Sequence, residues 1–212
     1  MTTGNPQPSV LVLGKSQTVL HATVAALRED GYTAQATNDF TSDLTRQFDI
    51  TAVDLVVLGT QVPPARRAEL KEEIGTVNPR IIFVQGLAGI PGLIINQVRG
   101  AFAAAQQDPA HAPSYTPADR LIRLTVPDPA DVTVTAWWRT PSVPPDLKSD
   151  SLVLLDGPLG RGDHTIPVPD HVFLPTHGTV GPPQARLAPP QPAFATVRVG
   201  TAIYAFSITA GP

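Results

Sequence analysis

The residues whose types could do chemistry follow three apolar runs in the first half of the chain. They are Gly14, Lys15, Ser16, Gly59, Thr60, Gln61, Gln85 and Gly86. A Gly-Lys-Ser triplet is the end of the P-loop, which wraps nucleotide phosphates. The first glycine of that motif would fall at Ser9 and is absent. The other interpretation is a tight strand-to-helix turn at Gly14, with Lys15 in solvent.

A second ligand hypothesis rests on glycine at several strand ends. A dinucleotide site requires G-x-G-x-x-G after the first strand, and the chain has GKSQTV there. Asp39 could hold a ribose, although it is also an ordinary loop acid. Glycines at 14, 59 and 86 would leave room for a ligand against the backbone. They also fit ordinary turns. A small-molecule or nucleotide-binding protein, with or without catalysis, is therefore the alternative function.

Histidines and acids occur together in the second half of the chain. His164, His171 and His177 accompany Asp163 and Asp170. Such residues can build a metal site, but the spacings of seven and six between the histidines fit no compact ligand motif. We interpret them as polar groups of separate loops, and we expect neither a metal nor a cofactor.

Trp137 and Trp138 are adjacent, so on a strand one side chain faces inward and the other outward. The inward ring is expected in a core. The outward ring could stack on a sugar, which would suit an envelope-associated module, contact a partner protein, or cover the first domain. We expect the protein contact, since tryptophan is enriched in interfaces.

Four strand-helix repeats must position the first set of residues. The predicted strands are Ser9–Leu13, Tyr32–Thr37, Val53–Leu58 and Arg80–Val84, and the predicted helices are 16–31, Phe40–Phe48, one from Pro64, and Leu93–Ala105. Ser16 is the expected N-cap of the first helix, and Thr41 or Ser42 that of the second. The third helix should bury Leu70, Ile74 and Val77. The alternation predicts a flavodoxin-like parallel sheet.

Over residues 8–105 the pattern resembles the receiver domain of bacterial response regulators. The clearest match is VDLVVL followed by a small turn and a proline. The resemblance implies paired acids after the first strand, where this chain has Gly14 and Lys15. It implies a phosphate-accepting aspartate at Gly59 and a hydroxyl at Gln85. A fifth strand with its lysine is not visible. The resemblance therefore implies a pseudo-receiver without a magnesium site.

The second half has a different composition. Residues 108–212 hold 18 of the 24 prolines, which excludes a mainly helical structure. Residues 108–119 are predicted to form a linker between the domain 1–107 and a domain spanning 120–212. Alternating apolar positions and Gly/Pro punctuation predict an antiparallel β-sandwich of about six to eight strands. Thr176–Gln191 is predicted to be a long proline-rich loop.

The net charge and amino-acid composition restrict the possible partners. The net charge is −3, so neither nucleic acid nor an anionic membrane is expected as the main partner, and a local basic patch is left open. Cysteine is absent, so no thiolate chemistry exists. The start of the chain and the lack of a long apolar run favour the cytoplasm. The apolar loop from Gly86 to Gly92 is expected to pack on the second domain or on another subunit. The alternative is a mobile, exposed loop that contacts a partner. The favoured function is a non-catalytic regulatory or protein-interaction protein that binds another protein or itself as a homodimer.

Overall fold

The computed structural model describes residues 7–87, 89–103, 108–140, 148–173 and 193–208. The chain divides into two compact units, residues 1–101 and 102–212. The first is an α/β unit and the second is built from antiparallel strands, as predicted. Among the described residues, none of the helices has both the length and the apolarity required to cross a bilayer.

The α/β unit contains one parallel sheet with the strand order β2-β1-β3-β4. Its elements are β1 Ser9–Leu13, α1 Gln17–Glu29, β2 Thr33–Thr37, α2 Leu44–Gln47, β3 Leu55–Gly59, α3 Pro64–Val77, β4 Ile82–Gly86 and α4 Pro91–Phe102. The apolar runs of β1 and β3 are almost wholly buried, which is typical of strands covered on both faces. The parallel sheet predicted from the strand-helix alternation is confirmed.

Helix α1 begins and ends where its sequence predicts. The hydroxyl of Ser16 accepts a hydrogen bond from the amide of Val19 at 3.4 Å, which satisfies one of the unpaired donors at the helix start. Gly31 follows the helix with a φ of 89°, a conformation that glycine adopts without a steric penalty. Leu20 and Leu27 are buried on one face of the helix.

The second and third helices differ from the prediction. Helix α2 is only four residues long, because the Asp39 carboxylate accepts from the amides of Thr41 and Ser42 and holds them in a turn. Asp43, rather than Thr41 or Ser42, caps the helix through the amide of Thr45. On α3, Leu70 and Ile74 are buried, but Val77 is 43% exposed at the helix end.

The second unit is a β-sandwich of two antiparallel sheets, ordered β11-β10-β7-β8 and β5-β6-β9. Its strands are β5 Ser114–Thr116, β6 Leu121–Val126, β7 Ala130–Thr140, β8 Lys148–Leu159, β9 Gly162–Pro167, β10 Ala193–Val199 and β11 Ala202–Ile208. Residues of both sheets share a single core, including Ile122, Val134, Ile166 and Ala195. The predicted hairpin at Gly200 is confirmed, with a φ of 57° at that glycine.

The segment 108–119, predicted to be a linker, contains regular structure. Asp108 accepts a hydrogen bond from the amide of Ala110 and caps a 3-10 turn at Pro109–His111. Strand β5 then pairs with β6, with Tyr115 opposite Ile122. A three-residue strand offers too few positions to reveal an alternating pattern. The proline-rich loop Thr176–Gln191 lies outside the described residues.

Candidate functional site

The sheet brings the predicted site residues of the α/β unit together at its carboxyl edge. Leu13 is aligned with Leu58, and Gly59 is aligned with Gly86. The ends of β1, β3 and β4 are therefore neighbours. We give the name strand-end rim to the last residues of β3 and β4 and the residues just after β1 and β3, namely Gly14, Lys15, Ser16, Gly59, Thr60, Gln61, Gln85 and Gly86.

Two glycines of the strand-end rim are required by close packing. A Cβ atom on Gly59 would lie 2.8 Å from the Leu13 carbonyl oxygen and 3.3 Å from the Gly14 Cα. A Cβ atom on Gly86 would lie 2.9 Å from Cγ1 of Val57. Real Cβ atoms do not approach that closely in packed interiors. The space beside these two glycines is therefore filled by neighbouring strands and is not open to a ligand.

The side chains of the strand-end rim are polar but lack a carboxylate. Lys15, Thr60, Gln61 and Gln85 are exposed, and Ser16 is committed to capping α1. An acyl-phosphate requires a carboxylate nucleophile, and Mg²⁺ requires oxygen ligands, usually carboxylates. Among the described residues, no cluster of three or more His, Asp or Glu side chains could hold a metal ion. Lys15 remains available for an electrostatic contact.

Asp39, considered above as a ribose ligand, is engaged by its own loop. Its carboxylate accepts from the hydroxyls of Ser42 at 2.6 Å and Thr41 at 2.9 Å, and from both backbone amides. The hydrogen bonds from Ser42 and then Thr41 hold the pKa of Asp39 well below its usual range. The carboxylate therefore organises the turn before α2.

We predict that the Asp39 carboxyl titrates well below the ordinary aspartate pKa of about 3.9. Because the folded pKa is lowered, the contribution to stability is present above the unfolded pKa and is lost as the pH falls through the folded pKa. Carboxyl-carbon NMR would measure the midpoint. An Asp39 midpoint near the ordinary value would contradict the turn described here.

The loop after β4 is held by a residue that the sequence analysis did not single out. The side-chain amide of Gln97 on α4 donates to the Gln85 carbonyl at 2.9 Å and accepts from the Leu87 amide at 3.0 Å. Ile90 in the apolar loop and Leu93 at the start of α4 are buried. A lone glutamine on a helix carries no sequence signal of such a role.

Comparisons with known proteins assign no family. No protein-family model matches the chain, and no curated protein matches it either. The site must therefore be interpreted from its own geometry.

The two tryptophans of the β-sandwich have different environments. Trp138 is 4% exposed within the core, and its ring centroid lies 6.2 Å from that of His171 in an edge-on arrangement. Trp137 lies on the opposite face, half-buried, and its indole N–H donates to the Thr196 hydroxyl at 3.0 Å. Adjacent strand positions predict this division, but only packing shows which ring is inside. Trp137 remains the ring with an exposed surface.

The histidines of this unit lie in separate surroundings. The Nε2 atom of His164 is 2.8 Å from the Gly160 carbonyl oxygen. His164 lines a small surface pocket of about 260 Å³ with Arg123 and Asp163. His171 contacts Trp138 instead, and His177 lies outside the described residues.

Proposed function

We propose that the α/β unit is a phosphorylation-incompetent pseudo-receiver and that the protein works as a non-catalytic, self-associating interaction protein. The observation that carries the proposal is the close approach at Gly59. The receiver resemblance puts the phosphate-accepting side chain at this residue. Here the Leu13 carbonyl and the Gly14 backbone occupy the space that a side chain would need.

The remaining rim residues support the same conclusion. Where a receiver would hold magnesium, the chain has Gly14 and exposed Lys15. A lysine ammonium would repel a divalent cation. Gln85 can donate and accept hydrogen bonds but has no hydroxyl for a switch. The exposed uncharged and cationic groups are suited to contacts with another protein surface.

The alternative, a small-molecule site at the same rim, loses its main support. It depended on glycines leaving room for a ligand against the backbone. Gly59 and Gly86 are instead packed against neighbouring residues. Gly14 would place a Cβ atom 3.3 Å from the Leu20 side chain, which is also a crowded position.

The test has a chemical part and an association part. We expect the full chain, incubated with acetyl phosphate and Mg²⁺, to gain no phosphoryl group by intact mass spectrometry, while an active receiver treated in parallel does. We expect a homodimer in sedimentation equilibrium at tens of micromolar. A phosphorylated chain would refute the pseudo-receiver, and a strict monomer would refute self-association.

A thermal-shift panel separates the alternative from the proposal. A ligand that binds only the native state raises stability by RT ln(1 + [L]/Kd), or about 2.7 kcal/mol at 100 times its Kd. We expect no shift with mononucleotides or dinucleotides. A clear nucleotide-dependent shift would favour the small-molecule function.

A further inference from the structure

Both outer strands of the parallel sheet have an unpaired side. In the part of the chain that the structure describes, the order β2-β1-β3-β4 leaves β2 at one edge and β4 at the other. An unpaired edge presents N–H and C=O groups to which a strand of another chain can add. Natural proteins often block such edges with lysine, proline or a β-bulge. None of these occurs within Thr33–Thr37 or Ile82–Gly86, so protection has to come from outside the two strands.

The Arg28 guanidinium lies on the edge of β2. The Thr37 carbonyl accepts from the Gly14 amide just after β1, and in a parallel ladder alternate residues face the same neighbour. Ala34 and Ala36 therefore direct their backbone groups away from the sheet. The Nε and Nη2 atoms of Arg28 both donate to the Ala34 carbonyl, at 3.1 and 2.8 Å. A strand that added to β2 would need this same carbonyl.

The Gln97 carboxamide occupies the edge of β4 in the same way. The Ile82 amide donates to the β3 side, so Phe83 and Gln85 direct their backbone groups outward. The Gln97 side chain donates to the Gln85 carbonyl at 2.9 Å and accepts from the Leu87 amide at 3.0 Å. A strand that added to β4 would have to displace this side chain from both groups.

These contacts shorten the free part of each edge. Of the two outward residues on each edge strand, only Ala36 on β2 and Phe83 on β4 keep both backbone groups without a partner among the described residues. Strands in folded proteins are usually about 3–10 residues long. One free residue on each edge is therefore too short a template for a stable ladder.

Two neighbouring helices hold these side chains in place. Arg28 lies in the last turn of α1, and Gln97 lies within α4. Arg99 on α4 donates to the Asp30 carboxylate just after α1 at 2.7 Å, so the two helices lie side by side. Each helix therefore places one polar side chain over the strand edge nearest to it.

We infer that Arg28 and Gln97 are edge-blocking residues, which keep strands of other copies of this chain from adding to either side of the parallel sheet. Displacing them would leave a guanidinium or a carboxamide against the incoming strand without its hydrogen bonds, which is unfavourable. The inference goes beyond the proposed function, because it places any self-association on a surface other than the sheet edges and limits its growth into larger assemblies.

Removing both side chains tests the inference in the full chain. The double variant with Arg28→Ala and Gln97→Ala frees three backbone groups, the carbonyls of Ala34 and Gln85 and the amide of Leu87. Because each hydrogen bond of a ladder favours pairing, we expect association in sedimentation velocity to strengthen at least about tenfold over the wild type. The helical circular dichroism should be retained, since no buried apolar side chain is removed.

Two control variants separate the opening of an edge from a loss of stability. Asn78→Ala removes a carboxamide that donates to the carbonyls of Ile50 and Val53 at 3.1 and 2.8 Å, neither of which lies on β2 or β4. It loses as many hydrogen bonds as Gln97→Ala without opening an edge, so it should associate like the wild type. Gln97→Glu loses the bond to the Gln85 carbonyl but places a charge at the edge, which opposes strand addition. It should also associate like the wild type.

The single variants keep the test decisive if the double variant loses its helical signal. Gln97→Ala and Arg28→Ala each open one edge, and each should associate more strongly than the wild type. A folded double variant that sediments like the wild type overturns the inference, and so does Asn78→Ala if it associates as strongly as the double variant. Stronger association confined to the alanine variants at 28 and 97 supports it. Because every comparison is with the wild type, a monomeric wild type would refute the proposed self-association and leave this test unaffected.

Discussion

Replacing Gly59 with alanine is expected to lower the free energy of unfolding of the α/β unit by about 1–3 kcal/mol, the usual cost of overpacking. The added methyl group would lie 2.8 Å from the Leu13 carbonyl oxygen. Strands β1 and β3 would have to separate, although both belong to the buried centre of the sheet. Gly59→Asp should cost more, because it adds a charged group to the same space.

The measurement is urea unfolding followed by circular dichroism at 222 nm. All described α-helices begin in the first unit, so this signal reports the α/β unit. Gly75 on α3 is the matched control, because a Cβ atom there meets nothing within 4 Å. Gly75→Ala should stabilise by about 0.5–1 kcal/mol, since glycine is a poor residue within helices. Equal stability of Gly59→Ala and the wild type would show that Gly59 is not packed as closely against the Leu13 carbonyl as the structure describes.

Truncation of Trp138 is expected to have the largest effect on the β-sandwich. Trp138→Ala should lower its free energy of unfolding by about 3–5 kcal/mol, because it removes a large buried side chain and leaves a cavity. Trp138→Phe should cost much less. The indole N–H of Trp138 is buried and has no hydrogen-bond partner among the described residues, and phenylalanine removes that unsatisfied donor.

Trp137 provides the control for this prediction. Trp137→Phe keeps most of a half-buried ring and loses the hydrogen bond to Thr196, which is worth about 0.5–1.5 kcal/mol. Each variant retains one tryptophan, so the fluorescence of the remaining ring can follow denaturant unfolding. If Trp137→Phe were as damaging as Trp138→Ala, the assignment of inner and outer faces would be wrong.

The elements with clear local signals could be predicted from the sequence. Ser16 and Gly31 bracket α1 because a hydroxyl cap and a left-handed glycine act through neighbouring atoms. The buried strands β1 and β3 have uninterrupted apolar runs, which identify a sheet covered on both faces. The glycine hairpin between β10 and β11 is equally local.

The features that could not be predicted from the sequence depend on contacts that residue types alone do not reveal. Thr41, Ser42 and Asp43 are all residue types that can cap a helix. The hydrogen bonds from the Thr41 and Ser42 amides to Asp39 hold these two residues in a turn before the helix. Strand β5 is too short to show a period, so composition alone suggested a linker. Glycine at 59 is compatible with a ligand or with a neighbouring backbone. The position of the Leu13 carbonyl oxygen decides between these two interpretations. That position is a three-dimensional contact, and it cannot be inferred from the residue types at 13 and 59.

The hydrogen bonds of the Gln97 carboxamide fix the number of residues between the start of helix α4 and Gln97. The amide reaches the edge of β4 only if it lies on the correct side of the helix. One residue inserted between Gly92 and Gln97 would rotate it by about 100° and expose the carbonyl and amide that it now satisfies. Insertions and deletions between Gly92 and Gln97 should therefore be selected against.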